Sequence, residues 1–386
     1  MKQFNGNRLK NARLYRGLTV EELAEKIEVS KQTVSQYEND KIVPTFEKIL
    51  SLSGELQFPY EYFIQSDSFK VKSGSTYFRS LLKTNKKYRI EQSVKMEHLA
   101  VIYSFLKDYV EFPKLNLPKN EKYASPTEAG RILREFWGLG EEPISDMIRV
   151  LEENGVIATM FRTSTDDIDA FSQLIEVDGQ DIFLVALSKN KDTAVRTHFD
   201  VAHELGHIML HEWSEDVESL TREQFKEREK EANEFAAAFL LPETPFRRDV
   251  SVYSNNLEYY IQLKKKWKVS TAAMLYRSCD LGLITQNQYQ YMIRIMQKKN
   301  WRKNEPFDNI LKTAKPSLLS DAIEVLLVNN VFTPSEFMKE LSKEGLAMNS
   351  REVEMLLDLP QDMLKPRQAG MGKIVSLKAD LSGIDS

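Results

Sequence analysis

The apolar positions of the first 65 residues fall at helical spacing in four short runs. Leu9, Ala12, Leu14 and Tyr15 share one side of a first helix, which Gly17 ends. Thr19 followed by Glu22 is a capping-box signature and opens a second helix, Val20 to Ile27. Beyond the turn Glu28-Val29-Ser30, Ser30 caps a third helix, Lys31 to Glu38. Asn39-Asp40 breaks that helix, and Pro44-Thr45 restarts a fourth, Phe46 to Leu56. Residues 1–65 are thus predicted to form an all-helical unit. Residues 66–122 are basic and polar, with one helical stretch near Gln92–Tyr109 and breaks at Phe112-Pro113 and Leu117-Pro118. They read as a helical linker.

Over 123–245 the periodicity becomes mixed. Glu128–Trp137 and Ile144–Asn154 have helical spacing. Val156–Arg162, Phe171–Val177 and Ile182–Ala186 read as strands, with Asp178-Gly179 a hairpin turn between the last two. Two helices follow, about 193–212 and 222–241, and Pro242 ends the second. Residues 246–364 read as a helical C-terminal region. Residues 365–386, with three glycines and few large apolar residues, are expected to be a loosely ordered tail. The pattern predicts a multidomain α plus α/β chain with no internal repeat.

Composition narrows the classes. No apolar run approaches the roughly 18 residues a membrane helix needs, which excludes a spanning protein. The opening Met-Lys-Gln-Phe-Asn-Gly has no apolar signal core, so a soluble cytoplasmic protein is expected. Cys279 is the only cysteine, which excludes an internal disulfide framework and a zinc site built from several cysteines. The net charge of −4 gives a nucleic-acid partner no global support, so any DNA-binding surface must be local. Residues 1–17 carry Lys2, Arg8, Lys10, Arg13 and Arg16 and no acid. Lys264–Lys268 and Lys298–Lys303 are further basic clusters, read as solvated helix faces.

The chemistry is concentrated in the histidines. Of five, His198, His203, His207 and His211 lie within fourteen residues, and His203-Glu204-Leu205-Gly206-His207 is an H-E-x-x-H motif. Helical i and i+4 positions share a face, so the two imidazoles can converge on one ion, with Glu204 beside them as a base toward a metal-bound water. Neutral imidazoles suit Zn²⁺, whose catalytic sites take three protein ligands. The third must come from elsewhere. The next helix offers Glu227, Glu229, Glu231 and Glu234, and its apolar stripe runs through Ala232, Phe235, Ala236, Phe239 and Leu240. Glu229 lies on the inward side, Glu231 is almost as well placed, and the other two fit less well. His211 reads as a helix-end group or a support for the ligands. His198 is either substrate-facing or merely exposed, and His98 is structural.

The stretch Arg196–His211, followed by Glu229-Lys-Glu-Ala-Asn-Glu-Phe-Ala-Ala-Ala-Phe-Leu-Leu-Pro242, resembles the ImmA/IrrE family of zinc metallopeptidases. The resemblance implies His203, His207 and Glu229 as zinc ligands, Glu204 as catalytic base, and a gluzincin-like α+β fold with a small sheet on the two metal helices. Trp267–Ser270 and Trp301–Pro306 are similar to the helical segment that follows in fused members.

Residues 8–56 resemble the Xre/Cro-type, lambda-repressor-like helix-turn-helix at Leu9, Arg13, Gly17-Leu-Thr19, Leu23-Ala24, Val29-Ser30, Val34-Ser35, Glu38 and Pro44. Such a motif needs a small residue where its two helices cross, here Ala24, and lays its second helix in the major groove. Lys31, Gln32, Thr33, Ser35 and Gln36 are therefore the expected DNA-reading residues, with an Arg13–Glu38 pair inside the fold. Val20 stands where the family commonly has Gln, so one phosphate contact is expected to be missing, and the basic face at 2–16 must supply much of the non-specific attraction. The expected function is a DNA-binding regulator, dimeric on a two-fold operator. Its zinc endopeptidase domain is expected to cut a repressor or antitoxin-like protein of a stress, phage or mobile-element locus. The competing expectation is a regulator or antitoxin that never cuts, whose zincin domain senses a ligand or binds a toxin.

Overall fold

The computed structural model describes residues 4–66, 71–78, 85–118, 122–191, 193–213, 219–301 and 304–365. Lys2, the end of the Lys298–Lys303 cluster and the tail beyond Lys365 lie outside the described residues. The N-terminal unit is four helices, α1 (Gly6–Tyr15), α2 (Val20–Lys26), α3 (Lys31–Glu38) and α4 (Phe46–Leu56). Thr19 forms its capping box with Glu22, and Ser30 and Thr45 cap α3 and α4 through their hydroxyls. Each element begins where its capping residue stands in the sequence.

The expected linker holds more structure than its composition suggests. Residues Val71–Phe78 form strand β1, and Lys86–Lys107 form helix α5. The strand was not expected, because the alternation Phe69-Lys-Val-Lys72 is short and Ser73-Gly-Ser75 interrupts it. Helices α6 (Pro126–Phe136) and α7 (Met147–Glu153) then lead into β2 (Ile157–Phe161), β3 (Ala170–Val177) and β4 (Gln180–Ser188). These join β1 in one sheet of order β1-β3-β4-β2. β1 and β4 run antiparallel to β3, while β2 is parallel to β4. Asp178 and Gly179 take φ of 51° and 76°, the left-handed values a two-residue hairpin turn requires, and Val177 pairs directly with Gln180.

The sheet is covered on both faces, so β2 is buried at all five positions and reads as a continuous apolar run. One face packs on helix α8 (Ala194–Leu210) and, through it, on α9 (Arg222–Leu240), with Ala158, Met160, Ala170, Phe183 and Val185 in that core. Helices α10 (Glu243–Val250), α11 (Leu257–Trp267), α12 (Thr271–Asp280) and α13 (Gln286–Lys298) extend the same core. The opposite face offers Phe161, Phe171, Ile175 and Leu184 to α5 and to the last three helices, α14 (Leu318–Val328), α15 (Pro334–Lys343) and α16 (Ser350–Leu356).

The four N-terminal helices belong to this second core. Tyr15, Phe58 and Tyr62 pack around the buried ring of His98 from α5, and Tyr62 Oη meets His98 Nε2 at 3.1 Å. Burial holds His98 neutral, pushed down to about 3, which agrees with a structural role. Arg16 bonds Glu352 at 2.9 Å and the Leu56 carbonyl at 2.7 Å, while Tyr15 Oη donates to the other Glu352 oxygen at 3.0 Å. Gln65 and Gln57 are tied to the α15–α16 segment through Ser342, Ala347 and Asn349. The C-terminal helices thus fasten the N-terminal unit to the back of the sheet.

Candidate metal centre and nucleic-acid face

The metal candidate stands on α8 and α9, and one glycine sets their approach. A Cβ on Gly206 would lie 3.0 Å from both Cα and O of Ala232 and 3.1 Å from the Phe235 ring, so the two helices touch backbone to backbone there. That closeness lets an α9 carboxylate reach the imidazoles of α8. His203, His207 and Glu229 come together with their ligand atoms within 4.8 Å of one another. The two Nε2 atoms are 3.1 Å apart, and the Glu229 oxygens lie 3.5 Å from His203 Nε2 and 3.2 Å from His207 Nε2. Glu231, the alternative third ligand, faces outward from this trio and meets His211 Nε2 at 3.1 Å.

The partners of the imidazoles set their tautomers. Asn233 Nδ2 donates to the Glu229 carbonyl at 2.6 Å, which turns its Oδ1 toward His203 Nδ1 at 3.1 Å. An amide oxygen only accepts, so Nδ1 carries the proton and His203 Nε2 holds its lone pair toward the trio. A relay acts on His207. Burial first, and His207 and Arg228 after it, hold His211 neutral, pushed down to about 2. Its one proton goes to the Glu231 carboxylate, its Nδ1 accepts from His207 Nδ1 at 3.0 Å, and His207 Nε2 also keeps a lone pair. Two lone pairs and a carboxylate therefore face one point. Glu229 Oε1 is buried there without a hydrogen bond. Such a set is repulsive by itself and fits a divalent cation with N,N,O preference, as Zn²⁺ has.

Glu204 is fully buried beside the trio, and Ser172 Oγ of β3 donates to its Oε2 at 2.6 Å. Ser172, Asn233 and the bond from His211 to Glu231 were not assigned from the sequence, whereas His211 itself stands at the end of α8 and bonds His207, as a helix-end support would. Asn233 had a signal, standing four residues after Glu229 on the inward face. Ser172 had none, since its contact crosses from sheet to helix. His198 is buried rather than exposed and lies on α8 away from the trio.

On the N-terminal unit, α3 presents Lys31, Gln32 and Ser35 to solvent, with Thr33 and Gln36 half-buried, while Val34 and Tyr37 point inward. Thr33 is held by Ser30, their hydroxyls 2.8 Å apart. Arg13 and Glu38 form a two-pronged pair at 2.5 and 3.0 Å. The expected basic face at 2–16 is corrected. Arg8 is fully buried and donates to the Ser66 carbonyl, Arg13 is spent on Glu38 and Arg16 on Glu352, leaving Lys10 as an exposed cation of α1.

Among the described residues no helix is long and apolar enough to cross a membrane. Residues 9–63 match the family model described as helix-turn-helix, and residues 156–278 match that described as IrrE N-terminal-like domain, the M78 peptidase type. No curated protein matches the chain. The first match spans α1–α4, and the second spans the three later strands with α8 and α9. The chain is a fusion of an Xre-type helix-turn-helix domain with an IrrE/ImmA-like peptidase domain.

Proposed function

We propose that this fusion is a transcriptional regulator whose second domain is a zinc-dependent endopeptidase. It cuts a repressor or antitoxin-like protein and so controls a stress, phage or mobile-element locus. The carrying observation is the convergence of His203, His207 and Glu229 on one point with Glu204 alongside. Those three side chains would hold Zn²⁺, which supplies Lewis-acid polarisation of a scissile carbonyl and acidifies bound water. Ser172 fixes the rotation of the Glu204 carboxylate by bonding Oε2. The oxygen that Ser172 does not engage, Oε1, takes the proton of the attacking water and returns it to the leaving amine nitrogen. Asn233 and His211 keep both imidazole protons on Nδ1, away from the cation.

The regulator's DNA contacts fall to Lys31, Gln32, Thr33, Ser35 and Gln36, acting from two protomers on a two-fold operator. A non-cutting regulator or antitoxin, with metal that only holds the domain together, is favoured by one observation: His203, Glu204 and His207 have no solvent exposure. The Glu204→Gln chain separates the two readings. It should bind zinc as the parent does and leave a co-expressed partner protein intact, by mass spectrometry of the partner. Unchanged regulation of the locus in cells carrying Glu204→Gln would refute the endopeptidase role.

A further inference from the structure

The start of the metal helix opens on a cavity distinct from the trio. Its volume is about 180 Å³, and its walls include Ala194, Thr197 and His198 from the first turns of α8, Asp146 at the start of α7, and Lys268 and Lys312. His198 is 6% exposed, and its Nε2 is buried with no hydrogen-bond partner. A buried polar atom in that state is unfavourable unless something completes it. Thr193 occupies the N-cap position of α8 without a side-chain hydrogen bond. Ala194 and Thr197 of that first turn line the cavity, so the positive end of the helix dipole lies at its wall.

The charge balance has a definite sign. Among the described residues Asp146 is the one acid of the cavity walls, and it is committed to its own helix, accepting from the Arg149 amide at 3.0 Å. Lys268 donates to the Ser145 carbonyl at 2.5 Å and keeps two further protons, while Lys312 is exposed. Burial, with the charge of Lys268 second, holds His198 neutral, pushed down to about 3, so its ring offers one N–H donor and adds no cation. Two ammonium groups, a helix N-terminus and the Thr197 hydroxyl outweigh one carboxylate already in use.

Size limits the ligand. At about 30 Å³ per water the cavity holds about six waters. That admits a phosphate group with a short substituent and falls below the roughly 300 Å³ where drug-sized ligands begin. We infer that this cavity is a binding site for a small phosphate-bearing molecule, held between the first turn of α8, Lys268 and Lys312.

The site has a mechanical corollary. Lys312 belongs to the 312–314 segment of the wall, a few residues before α14, whereas Thr197 and His198 sit on the helix that carries His203 and His207. A bound phosphate would tie the metal helix to the segment leading into the helices that fasten the helix-turn-helix.

The test is a titration of the full-length protein with inorganic phosphate at constant ionic strength, followed by calorimetry and by the ³¹P line width, with acetate and chloride in parallel arms. Phosphate should saturate one site per chain, with acetate at least tenfold weaker. Lys312→Glu, a change at an exposed side chain, should weaken phosphate at least tenfold, and Lys268→Gln should weaken it similarly. Glu229→Gln and Lys31→Ala should leave it unaltered, which separates this cavity from the metal centre and from the DNA face. Phosphate binding no tighter than chloride, or equal affinity in the Lys312→Glu chain, would overturn the site. Equal binding of acetate and phosphate would overturn the ligand class.

Discussion

Replacing Asn233 by Ala isolates the tautomer argument from the ligands themselves. Asn233 contributes two hydrogen bonds, one from His203 Nδ1 at 3.1 Å and one to the Glu229 carbonyl at 2.6 Å. Without the first, the His203 proton is free to move to Nε2, where it blocks the cation. Without the second, the α9 turn carrying Glu229 loses a brace. Each bond is worth about 1 kcal/mol net. Their joint loss of about 2 kcal/mol corresponds to about 30-fold weaker zinc binding, within the 10–100-fold that outer-shell partners of metal ligands usually contribute. Competition with a chromophoric chelator measures this directly. Asn233→Asp keeps the acceptor for His203 but has no donor for the Glu229 carbonyl, so it should weaken zinc only about fivefold, which separates the acceptor's role from the brace and from a general loss of packing. Affinity of the Ala chain within threefold of the parent would refute the tautomer reasoning, as would an Asp chain that falls as far as the Ala chain.

Further outcomes follow from other contacts. Glu152, buried at 6% exposure, accepts from the Ser317 and Leu318 amides at the start of α14, and burial raises its carboxyl from 4.5 to about 7. Between those values the folded chain holds a proton that the unfolded chain has lost. Stability should therefore fall as pH rises through that window, by on the order of 3 kcal/mol. Glu152→Gln should flatten that slope in urea unfolding at pH 5 and 7.5, and parallel pH curves for the two chains would contradict the assignment. Glu352→Ala strands the buried Tyr15 hydroxyl and removes the carboxylate partner of Arg16, and should cost about 1–3 kcal/mol in urea unfolding. A loss below about 0.5 kcal/mol would mean that the Glu352 contacts do not help anchor the N-terminal unit. Gln32→Ala with Gln36→Ala should abolish sequence-specific retention of DNA selected in vitro while helicity is preserved. Specific binding that survives would move the reading surface off α3.

What the sequence discloses depends on the range of the interaction. Caps, turns and periodic faces are local, and Thr19, Ser30, Thr45 and the Asp178-Gly179 turn mark their elements to within a residue or two. The i, i+4 placement of His203 and His207 is local as well. The choice between Glu229 and Glu231 is nearly so, because the Ala232–Ala236 stripe tells which side of α9 looks inward. Contacts that need the assembled fold leave no such mark. Ser172 meets Glu204 across the sheet–helix interface, and Arg16 meets Glu352 over 336 residues. The basic residues at 8–16 show the cost of reading charge without burial. They repeat like a phosphate-binding face, yet Arg8, Arg13 and Arg16 serve the interior. β1 escaped notice for a related reason, since an edge strand borrows its order from the neighbour it pairs with.

That rim strand carries a lesson for anyone cutting the gene. Residues 71–78 precede the matched peptidase segment at 156–278 yet complete its sheet, pairing along β3 from Val177 to Phe171. A truncation that begins at the matched segment would strip β3 of that neighbour and leave its amides and carbonyls open to another copy, an invitation to precipitate. Swapping the helix-turn-helix for a foreign one as a cassette meets the same obstacle from the other side, because its hydrophobic floor is made of α5 and the final helices. The two halves have been tailored to each other, and neither can be lifted out along a boundary drawn from family matches alone.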